Sequence, residues 1–174
     1  VNPNPVSETD HYVGRLGCSL TLIEYGDYEC PFCIKAFPVI EKMRARFGDR
    51  LCFVYRHVPK SGAKSFAKQA AEAAEFAASH GRFWEMHEIL FTHPDWREPE
   101  QLVEAAKSIG LDAESCRKAL EERTFAERVR EVAVAAVRAG IIGTPTLFIN
   151  GVRYEDRMEE EPLALALETA LAQR

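Results

Sequence analysis

The stretch EYGDYECPFC, residues 24–33, constrains this chain more than any other feature. It sets Cys30 and Cys33 two residues apart, at the end of the largely apolar run SLTLIEY (19–25). Such a run reads as a buried strand. Pro31 follows the first cysteine, and Phe37, Ile40, Met43, Arg44 and Phe47 then recur at helical spacing. This predicts a helix from about Cys30 to Phe47, stopped at Gly48. LCFVYRHV (51–58) reads as a second strand. Strand, helix, strand of these lengths is a βαβ unit with two parallel neighbours. The cysteines therefore stand at the mouth of a helix.

The middle of the chain is helical. SFAKQAAEAAEFAASHG (65–81) closes at Gly81, and RFWEMHEILFTH (82–93) ends before Pro94. EPEQLVEAAKSIG (98–110) has Pro99 in its first turn, LDAESCRKALEE (111–122) has Asp112 as N-cap, and TFAERVREVAVAAVRAG (124–140) ends at Gly140. The pattern then turns extended. TPTLFING (144–151) is a strand ending in Asn-Gly, a strong hairpin signal, with VRYED after it. EPLALALETALAQ (161–173) closes as an amphipathic helix. The order is βαβ, a helical block, then ββα: an α/β chain.

Bulk properties exclude some functions. A chain of 174 residues suits one domain, or one domain with a sizeable insertion. A net charge of −5, with bases and acids interspersed, argues against a sequence-independent hold on nucleic acid. No apolar run approaches the length of a spanning helix, so membrane insertion is not expected. Five cysteines leave at least one unpaired. Thiols at Cys18, Cys52 and Cys116 favour a reducing compartment such as the cytoplasm. The opening VNPNPVSETD lacks the layout of a secretory signal, and a processed, exported form is the alternative.

Two sulfurs at this spacing can hold a metal, staple the fold or exchange electrons. Zinc needs a second ligand pair, and here the other cysteines are isolated while His11, His57, His80, His87 and His93 are scattered. A Cys30–Cys33 staple would close a ring too small to remove much unfolded-state entropy. Exchange needs a stabilised thiolate with a second sulfur behind it. A helix start supplies unpaired N–H groups and a positive dipole end beside Cys30, and Cys33 lies one turn deeper. Pro31 suits the first turn because it has no N–H to satisfy. Exchange is the favoured reading, with no metal and no cofactor. Thr144-Pro145 precedes a strand, either as a cis peptide turning the chain beside the thiols or as a trans proline ending a loop.

Other residues have plain alternatives. Cys52 and Cys116 read as small core residues, although Cys18 and Cys52 lie near the starts of neighbouring strands, where a bridge is conceivable. Phe83, Trp84, Met86 and Phe91 read as core before they read as a peptide groove.

EYGDYECPFC, FWEMHEILF and GIIGTPTLFING, in this order and spacing, resemble the DsbA-like thiol–disulfide oxidoreductases of the thioredoxin superfamily. The resemblance implies a thioredoxin fold: a central mixed β-sheet flanked by helices, with an inserted all-helical subdomain. The expected division is 1–61 for the first half, 62–140 for the insertion and 141–174 for the second half. It implies that Cys30 is the nucleophile, Cys33 the resolving cysteine and Pro145 the family's cis-proline. Pro31, Phe32, Thr144 and Pro145 become the candidate substrate contacts. Glu24 matches the family's buried acid, able to take or return the Cys33 proton.

The dipeptide Pro31-Phe32 lacks the histidine of the strongest oxidases, and Asp27 and Glu29 add negative charge close in sequence. An intermediate redox potential is expected. The implied partners are protein thiols or disulfides and a redox partner protein, with a monomer expected. A second resemblance, to thioredoxin-like domains appended to sodium/proton antiporters, implies a binding or sensing module instead. Glutathione-dependent isomerases and transferases of the superfamily lack paired cysteines here.

Overall fold

The computed structural model describes residues 3–60 and 65–173. The boundary expected at 61/62 lies outside the described residues. In chain order the elements are β1 (His11–Val13), β2 (Leu20–Gly26), α1 (Pro31–Phe47), a short 3-10 turn (Gly48–Arg50), β3 (Leu51–His57), α2 (Phe66–Ala78), α3 (Phe83–Thr92), α4 (Pro99–Ser108), α5 (Ala113–Glu121), α6 (Ala126–Arg138), β4 (Thr146–Ile149), β5 (Val152–Tyr154) and α7 (Glu160–Ala172). They divide into two compact units. One comprises Val1–Gly26, Cys30–Arg56 and Val134–Arg174; the other comprises Asp27–Glu29 and His57–Ala133.

The first unit is built on a five-stranded sheet of order β1-β3-β2-β4-β5. β2 lies at its centre, with six of its seven residues buried, as its apolar sequence requires. The strands of the predicted βαβ unit, β2 and β3, are neighbours. β4 runs antiparallel to β2, pairing Glu24 with Leu147 and Tyr25 with Thr146. The β4–β5 hairpin turns through Asn150 (φ 49°) and Gly151 (φ 84°), the positive pair that an Asn-Gly turn supplies cheaply. Asn150 also ties this hairpin to β2: its Oδ1 accepts from the Thr21 N–H at 2.8 Å.

β1 was absent from the sequence reading. Its three residues pair with β3 from His11↔Tyr55 to Val13↔Phe53, and three residues are too few to show an alternation. The segment before it is anchored by Arg56, which is 7% exposed. The guanidinium donates to both Asp10 oxygens at 2.7 and 2.9 Å, to Tyr25 Oη at 2.7 Å and to the carbonyls of Asn4 and Pro5. A buried cation is tolerated where its donors are used in this way.

α1 buries Cys33, Ala36, Ile40, Met43 and Phe47 on one side; of the five residues read at helical spacing, Ile40, Met43 and Phe47 belong to this stripe, while Phe37 and Arg44 flank it half-buried. α7 packs against α1 and buries Leu163, Ala164 and Leu167. Surface pairs Lys42–Glu160 (2.6 Å) and Arg46–Glu168 (2.5 Å) join the two helices. Exposed pairs of this kind contribute little.

The second unit is helical. α2 packs against α3, α4 and α5, and its alanines at 67, 70, 71, 73, 74 and 77 are buried, which permits close approach on several sides. Two glutamates share that buried surface. Glu72 is gripped by Arg123, whose Nε and Nη2 lie 2.7–3.0 Å from its oxygens. Glu75 faces His57 Nε2 at 3.4 Å and Arg128 Nε at 3.9 Å. Phe83, Met86 and Phe91 are core residues, each at most 5% exposed. Asp112 caps α5 as expected, its Oδ1 accepting from the Ser115 N–H at 2.8 Å.

Candidate active site: the Cys30–Cys33 pair

β2 delivers the chain to the site. Its last residue, Gly26, lies against Tyr55: a Cβ there would sit 2.5 Å from the ring of this buried tyrosine, so any larger residue would have to displace it. Asp27–Glu29 follow, and α1 begins at Pro31 with Cys30 as its N-cap residue. Cys30 has extended φ and ψ of −76° and 118° and makes no side-chain cap bond. Its Sγ is instead directed to the Thr144 carbonyl oxygen, 3.2 Å away. Thr144-Pro145 is a cis peptide, the first of the two alternatives the sequence left open. The Thr146 hydroxyl donates to the Gly143 carbonyl at 2.7 Å and closes this loop upon itself. The register of β4 on β2 accounts for the meeting, since Tyr25↔Thr146 places Pro145 and Thr144 alongside the end of β2.

The two sulfurs are unequal. Cys33 is wholly buried, whereas Cys30 retains 7% exposure. Both carry thiols here. The residues beside it in sequence are open: Pro31 is exposed and Phe32 is 67% exposed. Ile142, two residues before Thr144, is 94% exposed. Sequence reasoning passed over Ile142, because two adjacent isoleucines between glycines carry no periodic signal.

Glu24 lies within the central strand, 2% exposed, and its Oε1 has no hydrogen-bond partner among the described residues. Burial pushes its pKa up to about 8, and the neighbouring Cys30 and Glu41 push in the same direction. Near neutrality this carboxyl therefore keeps its proton most of the time while remaining able to release it. An acid so placed can exchange a proton with a group that alternates between thiol and thiolate.

Asp27 and Glu29 differ from the bare charges read in the sequence. Asp27 Oδ1 accepts from the Glu29 N–H at 2.8 Å, and Oδ2 accepts from the Lys60 N–H at 2.9 Å. Burial raises its pKa more than these bonds lower it. Glu29 Oε2 accepts from the Ala67 N–H at 2.8 Å, and Oε1 lies 3.6 Å from Arg97 Nε. Between them, Tyr28 Oη and His87 Nδ1 share a hydrogen bond of 3.0 Å. Three consecutive side chains thus anchor the tripeptide that leads directly into Cys30. Among the described residues, no third histidine, cysteine or carboxylate joins Cys30 and Cys33 in a compact ligand set.

Residues 6–169 match the family model described as Thioredoxin. The chain is 42% identical over 163 residues to the Na(+)/H(+) antiporter NhaA 1 of Mycolicibacterium gilvum, covering 92% of this chain and 26% of that protein. It spans about a quarter of the length of such curated relatives. Its structure superposes on crystalline oxidised BdbD from Bacillus subtilis with a TM-score of 0.87 at 26% identity, covering 99% of this chain and 98% of that one. Against α-DsbA1 from Wolbachia pipientis the TM-score is 0.84 at 17% identity, covering 97% and 94%, a likeness of fold.

Proposed function

The chain belongs to the thioredoxin family, in its DsbA-like branch, and on that premise we propose that it exchanges a Cys30–Cys33 disulfide with the cysteines of other proteins. One observation carries this reading. Cys30 stands at the start of α1 against the Thr144 carbonyl, with Cys33 buried one turn behind it. In the oxidising direction a substrate thiolate attacks Cys30 of the disulfide, and Cys33 leaves and takes up a proton. A second substrate thiolate then attacks the substrate sulfur of the mixed disulfide and expels Cys30. In the reducing direction the Cys30 thiolate attacks a substrate disulfide, and Cys33 loses its proton and displaces the product.

Glu24 is the proton donor in the first case and the acceptor in the second. Pro31, Phe32, Thr144 and Pro145 contact the substrate chain. The division into a catalytic unit and an inserted helical unit over about 62–140 belongs to the same proposal. The antiporter relatives favour a second reading, a thioredoxin-like module that binds or senses for a transporter without turnover. Trapping separates the two. The exchange reading predicts that Cys33→Ser accumulates mixed disulfides on Cys30 when offered a scrambled, disulfide-bonded protein. Cys30→Ser should accumulate none. A module without turnover would bind its partner equally well with either cysteine replaced and would trap nothing.

A further inference from the structure

Four of the five cysteines belong to the sheet unit, and only two of them form the exchange pair. The fold brings the other two together. Cys52 is the second residue of β3, and Cys18 stands two residues before β2, the hydrogen-bonded neighbour of β3. Cys18 is 4% exposed and Cys52 1%. Cys18 Sγ directs its hydrogen to the Leu20 carbonyl at 2.8 Å, which leaves its sulfur to accept from the Cys52 thiol, within hydrogen-bonding reach. The backbone is crowded here, since a Cβ on Gly14 would lie 3.2 Å from Cys52 Cα.

We propose that Cys18 and Cys52 form a second disulfide, a structural staple between the segment entering β2 and the start of β3, when the chain meets a disulfide oxidant. Glutathione disulfide is the simplest. Cys18, the more exposed of the two, loses its proton and attacks one glutathione sulfur, and the other leaves as glutathione. Cys52 loses its proton and attacks Cys18 of the mixed disulfide, releasing a second glutathione. Two protein thiols are oxidised, and one disulfide is reduced to two thiols.

The two pairs have different uses. The Cys30–Cys33 ring spans four residues, whereas a Cys18–Cys52 link encloses β2 and α1. The longer loop restricts the unfolded chain far more. Cys116, buried in α5, remains the single thiol left over, which accounts for the odd count.

The test uses the full chain carrying Cys30→Ser and Cys33→Ser, equilibrated with glutathione disulfide, then unfolded, alkylated and mapped by mass spectrometry. We expect one label, on Cys116, the loss of two hydrogens, and a linked Cys18–Cys52 peptide. The urea midpoint should rise above that of the same protein kept reduced. Adding Cys52→Ala should return Cys18 to labelling or leave it carrying glutathione. Three labels, or a glutathione adduct on Cys18 beside a labelled Cys52 in the chain that retains both, would overturn the pairing. A linked peptide with an unchanged or lower urea midpoint would overturn the staple.

Discussion

Two buried glutamates, one in each unit, show how differently the same side chain can be used. Glu72, 1% exposed in the helical unit, is held on both oxygens by Arg123. Arg123 adopts a positive φ of 57°, a conformation that an L residue takes at some cost. The helical unit therefore tolerates local strain to neutralise a buried acid. Glu24, 2% exposed in the sheet unit, has no such partner and keeps its proton up to about pH 8. A partnered acid holds its unit together. An unpartnered one weakens its unit, and the proton exchange proposed above gives that weakness a use.

The largest effect that would break this contrast is the pH dependence of stability. Unfolded, Glu24 ionises near its ordinary value of 4.5; folded, only near 8. Below both values the acid is protonated in both states and costs nothing. As pH rises between them the unfolded chain releases a proton that the folded chain keeps, so stability falls. Glu24→Gln removes this penalty, and the expected gain is on the order of 5 kcal/mol above about pH 8, shrinking to nothing below about pH 4.5. Urea unfolding of both proteins across that range measures it.

Next comes Arg123→Ala, which leaves Glu72 charged and unpartnered. A loss of about 3 kcal/mol is expected, with exchange activity unchanged in the molecules that remain folded. Replacing Glu72 and Arg123 together by apolar residues should recover much of that loss.

The rate comes third. Glu24→Gln should slow the step in which Cys33 resolves a mixed disulfide by roughly a hundredfold at neutral pH, because its proton has no nearby acceptor. A stabilised variant with unaltered resolution would separate the two properties we join in Glu24. The smallest effect is expected from Asp112→Ala. It removes the bonds from the Ser115 hydroxyl and N–H, a small loss seen at neutral pH that vanishes as acid protonates Asp112, whose pKa the hydroxyl first and the N–H second hold down.

These contrasts were unevenly legible in the sequence. The βαβ unit, the five helices between the strands and the Asn-Gly hairpin show local periods and turn residues, and each stands where those signals place it. Cys30, Cys33 and the helix start between them are adjacent in the chain, so their arrangement was readable. The cis peptide at Pro145 and its nearness to Cys30 depend on the pairing of β4 with β2, which the residues alone left open. β1 was too short to signal itself. The bonds of Asp27 and Glu29 reach 33 and 38 residues along the chain, which local spacing does not encode. For the same reason Glu24 and Glu72 look alike in sequence, and only the fold separates them.

The most direct test of the exchange pair is a redox titration of the wild-type chain in graded glutathione buffers, with acid quenching, alkylation and peptide mapping. We expect the Cys30 and Cys33 labels to disappear together in one two-electron step, with a midpoint between roughly −120 and −270 mV. If the two sulfurs titrate separately, or if Cys30 acquires glutathione while Cys33 stays labelled throughout, they do not form an exchange pair.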